Sequence, residues 1–175
     1  GREVRILRML EASGGWSTRP LPLVASDTSL EPGVFGIMRP KLLWPRAISE
    51  RLTDEELEAV LAHELCHLRR GDNLTAVLHI AVQTVFWFHP LTWWIGARLL
   101  DERERACDEE VIRRGGERET YAESILKTCQ FFVESPLACV SGVTGSDLKK
   151  RIEEIMTKDS VSMPGSSKRA LLAAV

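Results

Sequence analysis

The chain has 175 residues, of which 44% are hydrophobic and 27% charged; this is ordinary globular usage and excludes wholesale disorder and fibrous repeats. A formal net charge of -2 gives no basic footprint for nucleic acid. The length suffices to bury a core without disulfides, and the four cysteines, set in apolar or helical contexts, read as reduced thiols suited to a cytosolic compartment. The pattern predicts a mostly helical α+β fold over residues 1–160, with 161–175 as a linker and the start of a further helix.

The first predicted helix runs from about Arg2 to Glu11, with Val4, Leu7 and Leu10 as its apolar stripe. Arg2, Arg5 and Arg8 interrupt that stripe too early for a signal peptide. Three short apolar runs follow: Leu21 to Ala25, Gly33 to Met38, and Lys41 to Trp44 between Pro40 and Pro45. They predict a small antiparallel sheet of two or three strands, and the prolines suit edge positions. Thr53 and Glu56 have capping-box spacing, and Asp54, Glu55 and Glu56 complement the helix dipole. The helix they open carries Leu57, Val60, Leu61, Leu65 and Leu68 on one face and stops at Gly71. Further helices are expected over about Leu74 to Phe88, from near Pro90 to Gly115-Gly116, from after Gly116 to before Ser135-Pro136, and from near Ser146 to near Lys158.

From Asn73 to Ala97 there is no Asp, Glu, Lys or Arg. That length matches a membrane span. Asn73, His79, Gln83 and His89, with Pro90 breaking the run, favour a helical hairpin in the core instead. A hairpin lying against a membrane is the third reading, with Trp93 and Trp94 at the interface. Lys168 and Arg169 before Ala170 to Val175 resemble a positive flank leading into a transmembrane helix.

The chemistry concentrates in His63-Glu64-Leu65-Cys66-His67, inside the predicted helix. Residues four apart share a helical face, so both imidazoles can reach one metal ion. Glu64 flanks that ion and is placed to take a proton from a water on it. Zinc is the expected metal, because it brings a water's pKa to roughly 7. A third ligand is required with one position left open. Glu104 is the expected one, on a helix where Asp108, four residues on, shares its face. Asp108 would accept the second ring N–H of His63 or His67. Arg69, Arg70, Asp72 and Asn73 read as helix-terminal charges and a capping network, with a structural role.

The two elements together are similar to the gluzincin metallopeptidases. The wider strings LAHELCHLRRGDN and FWFHPLTWWIGARLLDERERACDEEV resemble one family, the antirepressor metallopeptidases of bacterial β-lactam sensor-transducers (BlaR/MecR type). The likeness covers roughly Val24 to Tyr121, including SDTSLEPGVFGIMRPKLLWP as an edge-strand segment. It implies zinc held by His63, His67 and Glu104, with Glu64 as general base. It further implies a peptidase domain on the cytoplasmic side of a membrane, anchored by flanking helices, that relays a signal by cutting itself or a cytosolic regulator. Val34, Phe35, Gly36, Ile37 and Met38 are a candidate edge against which a peptide substrate adds as a strand. Tyr121, the only tyrosine, is a candidate oxyanion donor, with core packing as the alternative. Two other readings remain open: a housekeeping membrane endopeptidase of the heat-shock or prenyl-protein type, and a non-catalytic zinc domain that binds partners.

Overall fold

Thr53 starts the helix on which the rest is assembled. In the computed structural model, which describes residues 1–13, 20–27, 31–133 and 145–157, its hydroxyl accepts from the Glu56 N–H at 3.2 Å, and the Glu56 carboxylate accepts from the Thr53 N–H at 2.9 Å. This capping box opens α3 (Asp54–Arg70), which Gly71 closes with a left-handed φ of 71°. Leu57, Leu61 and Leu65 on α3 are fully buried. Around α3 stand α1 (Arg2–Ala12), α5 (Pro90–Arg113) and α6 (Arg118–Val133). The remaining helices are α2 (Arg46–Arg51), α4 (Asp72–Val85) and α7 (Gly145–Thr157). The fold is α+β and mostly helical. The short α2 after the last strand has no counterpart among the expected elements.

The sheet departs from expectation. Strands β1 (Leu23–Ser26), β2 (Gly33–Phe35) and β3 (Lys41–Pro45) lie in the order β1-β3-β2. β2 pairs antiparallel with β3, but β1 pairs parallel with it, so the sheet is mixed rather than antiparallel. The proline-flanked strand, expected at an edge, is the central one. Pro40 precedes it and Pro45 is its last residue, so neither removes a donor from the middle of the ladder. β3 supplies Leu42 and Trp44 to the core, both wholly buried; the Trp44 indole N–H donates to the Ser49 hydroxyl at 2.8 Å.

A second departure concerns α4 and the start of α5. The expected core hairpin is instead solvent-facing: Leu78, Val85, Trp87 and Phe88 are all about half exposed or more. No helix among the described residues is long and apolar enough to cross a membrane. The linker and terminal helix expected over 161–175 lie outside the described residues.

Candidate metal centre and cleft

α3 turns His63 and His67 to the same side, one turn apart, and α5 brings Glu104 across from them. The two Nε2 atoms are 3.1 Å apart. Glu104 Oε2 lies 3.3 Å from His63 Nε2, and Oε1 lies 3.6 Å from His67 Nε2. Three ligand atoms from two helices therefore converge on one point, a grouping suited to a metal ion.

Each imidazole is oriented from behind. The His67 Nδ1–H donates to Asp72 Oδ2 at 2.7 Å. His63 Nδ1 lies 2.8 Å from the Tyr121 hydroxyl, which donates in turn to Asp108 Oδ1 at 2.5 Å. With a proton held on each Nδ1, each Nε2 is the nitrogen that faces the shared point, and a metal bound there would displace the proton that His63 otherwise carries. Asp108 thus supports His63 largely through Tyr121; its own oxygen stands 3.4 Å from the ring nitrogen. The sequence expectation had one carboxylate, Asp108, serving either histidine. The structure divides the work, with Asp72 on His67 and the Tyr121–Asp108 pair on His63. The Tyr121 hydroxyl, considered above as an oxyanion donor, is engaged on the Nδ1 side, and its residue is 1% exposed.

Arg151 on α7 is the residue that sequence reading missed. Its guanidinium grips Asp108 through two bonds of 2.8 and 2.7 Å. It also stands 3.4 Å from Glu104 Oε2 and 3.3 Å from His63 Nε2. Nothing local marked it: in sequence it closes a Lys149-Lys150-Arg151 run that reads as a solvated helix face. Asp72 did carry a signal, since it directly follows the glycine that ends the histidine-bearing helix.

The electrostatics favour a cation here. Burial pulls the His63 pKa down, but hydrogen bonds to Asp108 and Glu104 outweigh it and raise it to about 10. Burial would raise the Glu104 carboxyl, yet the His63 hydrogen bond and charge hold it well below the ordinary range. Burial, followed by the charge of His63, lowers His67. Glu64 is 8% exposed, and burial lifts its carboxyl to about 7. A second trio, His67, Asp72 and Cys107, could also reach one ion. The hydrogen bond to Cys66 and then burial push the Cys107 thiol up.

The cluster lines a cleft of about 550 Å³ between Gly33 and Val34 of β2 on one side and Leu148 and Arg151 of α7 on the other. The Asn73 carboxamide donates to the carbonyls of Val34 and Gly36, both at 2.9 Å. Asn73 therefore does more than cap a helix: it fixes the edge strand beside the site. The strand is shorter than the expected Val34 to Met38. It ends at Phe35, because Gly36, at φ 92°, turns the chain back toward β3. Ile37 and Met38 lie in that turn and are exposed.

A family model described as BlaR1 peptidase M56 matches residues 2–155. The chain is 28% identical over 144 residues to a methicillin resistance mecR1 protein of Staphylococcus aureus, covering 79% of this chain and 24% of the relative. It is 31% identical over 156 residues to the regulatory protein BlaR1 of Bacillus licheniformis, covering 86% and 25%. Over 71 residues it is 38% identical to a protease HtpX of Idiomarina loihiensis, covering 38% and 25%. The chain spans about a quarter of the length of these curated relatives.

Proposed function

The chain belongs to the BlaR1 peptidase M56 family, and from that premise we propose that it is the zinc-dependent endopeptidase domain of a membrane-embedded signal-transducing protein. The convergence of His63 Nε2, His67 Nε2 and a Glu104 carboxylate, with Glu64 beside them, carries this reading. The donor set fits zinc: two imidazoles and one carboxylate, each with a partner that orients or balances it. Zinc held there would supply Lewis acidity and bring the pKa of a water to roughly 7.

The chain's own groups do the rest. Glu64 takes the proton of the attacking water and passes it to the leaving amine. Its carboxyl, lifted by burial to about 7, suits a group that must both accept and donate near neutrality. Asp72 holds His67, and Tyr121 with Asp108 holds His63, so neither ring turns away. Arg151 balances Glu104 and Asp108 and lines the cleft, a cationic donor available to charge developing on a scissile carbonyl. A substrate strand laid beside β2 would meet the surface that Asn73 holds in place.

The substrate in this reading is a protein segment, either the chain's own or that of a cytosolic regulator, cut on the cytoplasmic side of the membrane. Similarity to a protease HtpX over 71 residues supports a second reading, a housekeeping membrane endopeptidase. Substitution of Glu64 by Gln separates catalysis from binding. The variant is expected to retain one zinc per chain by elemental analysis while peptide cleavage disappears. Unchanged cleavage would sink the mechanism, and a wild-type chain that holds zinc without cleaving any peptide would leave a binding module. Cleavage of an unrelated unfolded protein as fast as of the chain's own segments would favour the housekeeping reading.

A further inference from the structure

The hairpin formed by α4 and the first half of α5 is inside-out. Between Leu74 and Leu100 only Ala76, His79, Gln83, Thr92 and Gly96 are shielded from solvent. All five are small or polar, and His79, Gln83 and Gly96 meet in the seam between the two helices. A Cβ on Gly96 would stand 2.8 Å from His79 Nε2 and 2.9 Å from Gln83 Nε2, so the side chains of α4 reach close to the α5 backbone there. His79 Nε2 is shut in the seam with no hydrogen-bond partner among the described residues. The large apolar side chains point outward instead. On α4, Leu74, Val77, Leu78, Ile80 and Val82 are all exposed, and at about 100° per residue they cover roughly 200° of arc.

A helix that docks in a protein groove needs only one apolar stripe, about 100° wide or somewhat more. Apolar residues over most of the circumference, with small and polar residues at the helix contact, match helices packed in lipid. The charge pattern agrees: Arg70 and Asp72 stand at one foot of the hairpin and Arg98 and Asp101 at the other, with no charged residue between Asn73 and Ala97. Trp87, Phe88, Trp93 and Trp94 crowd the turn and are all more than half exposed.

We infer that this hairpin inserts into one leaflet of a lipid bilayer. Its depth follows from its length. The 14 residues of α4 rise about 21 Å, short of the roughly 30 Å hydrocarbon core, so the hairpin dips in without crossing. Glu104 lies four residues beyond Leu100, about 6 Å along α5, so insertion sets the cleft close to the headgroups. The inference does not depend on zinc or on peptidase activity.

The test is flotation of the whole chain with neutral phosphatidylcholine vesicles. The wild-type chain is expected to float with the vesicles at both low and high salt, because insertion is apolar. Phosphatidylcholine brominated along its acyl chains is expected to quench the hairpin tryptophans. Replacing Leu78 and Val82 together by Asp should weaken partitioning by roughly a hundredfold or more. Met9→Asp, an exposed apolar site outside the hairpin, should leave it unchanged. Helical circular dichroism separates lost insertion from lost folding, and the bromine quenching reads insertion without any variant. No flotation by a folded wild-type chain, or flotation abolished by salt, overturns the inference. So does full binding by the double variant. A lipid-indifferent dimer that the double variant turns into a monomer would assign the surface to a second copy and overturn it equally.

Discussion

Single residues around the proposed metal centre stand in pairs, a candidate ligand and the group that holds it. Asp72 is 5% exposed and its carboxylate touches His67 Nδ1. Replacing it by Asn keeps the shape and removes the charge. A partner of this kind typically contributes ten- to a hundredfold to metal affinity. Asp72→Asn is therefore expected to weaken zinc binding by about that factor in a chelator competition, with the fold retained. Tyr121→Phe should do the same through His63. Removing a ligand is a different event: His63→Ala and Glu104→Ala should each abolish stoichiometric zinc. If Glu104→Ala kept its zinc, the third ligand would have to be sought elsewhere, with the trio of His67, Asp72 and Cys107 the other grouping that could hold an ion. The His63–Glu64–His67 element was legible because i, i+4 spacing is a local property of a helix. Arg151 was not, because only the packing of α7 brings its guanidinium to Asp108.

At the scale of elements, α3 is specified at both ends by local chemistry. The box of Thr53 and Glu56 starts it, and Gly71 stops it in a left-handed conformation. A Cβ at Gly71 would meet nothing within 4 Å, so the cost of Ala there is purely conformational. That cost is about 1–2 kcal/mol. Gly71→Ala should lower the melting temperature by about 2–4 °C per kcal/mol, read by calorimetry. Because Asp72 and Asn73 follow directly, the same substitution should also weaken zinc binding; an unaltered affinity would mean that the turn does not position Asp72. The sheet was less legible than the helix. Its three runs were visible, but strand order and direction depend on which edges meet, and alternation within three to five residues carries no such information. The prolines pointed to an edge strand, whereas their positions at the strand's two ends allow a central one.

At the scale of the whole molecule, Glu110 ties together α3 and α5, the helices that carry His63, His67 and Glu104. Its carboxylate accepts from Arg69 on α3 at 2.7 Å and from Arg113 and Arg114 near the end of α5. Burial pushes its pKa up, but the Arg113 and Arg114 hydrogen bonds prevail and hold it at about 2, against an ordinary 4.5. A carboxyl depressed in the folded state stabilises the fold fully above the unfolded value. That stabilisation is lost as pH falls from about 4.5 toward about 2. Urea unfolding of wild type and Glu110→Gln is expected to show the wild type more stable at neutral pH. The gap should close across that acid window; a gap that persisted at the lowest pH would mean that charge is not its source. The hairpin of α4 and α5 belongs to this scale too. Its lack of charge could be read from the chain, but whether it packs in the core or faces outward could not.

The chain alone determined the histidine-glutamate element, the helix that carries it, its caps and the carboxylate helix downstream. Each of these is written within one or two turns of backbone, where spacing translates directly into a shared face. The tertiary structure decided which groups stand behind the ligands, Asp72 for His67 and Tyr121 with Asp108 for His63. It also decided the mixed direction of the sheet, the arrival of Arg151, and the outward turn of the apolar hairpin. These depend on contacts between residues up to 88 positions apart, as for Arg151 and His63. Such contacts are selected by the packing of whole helices against one another, which local spacing does not encode.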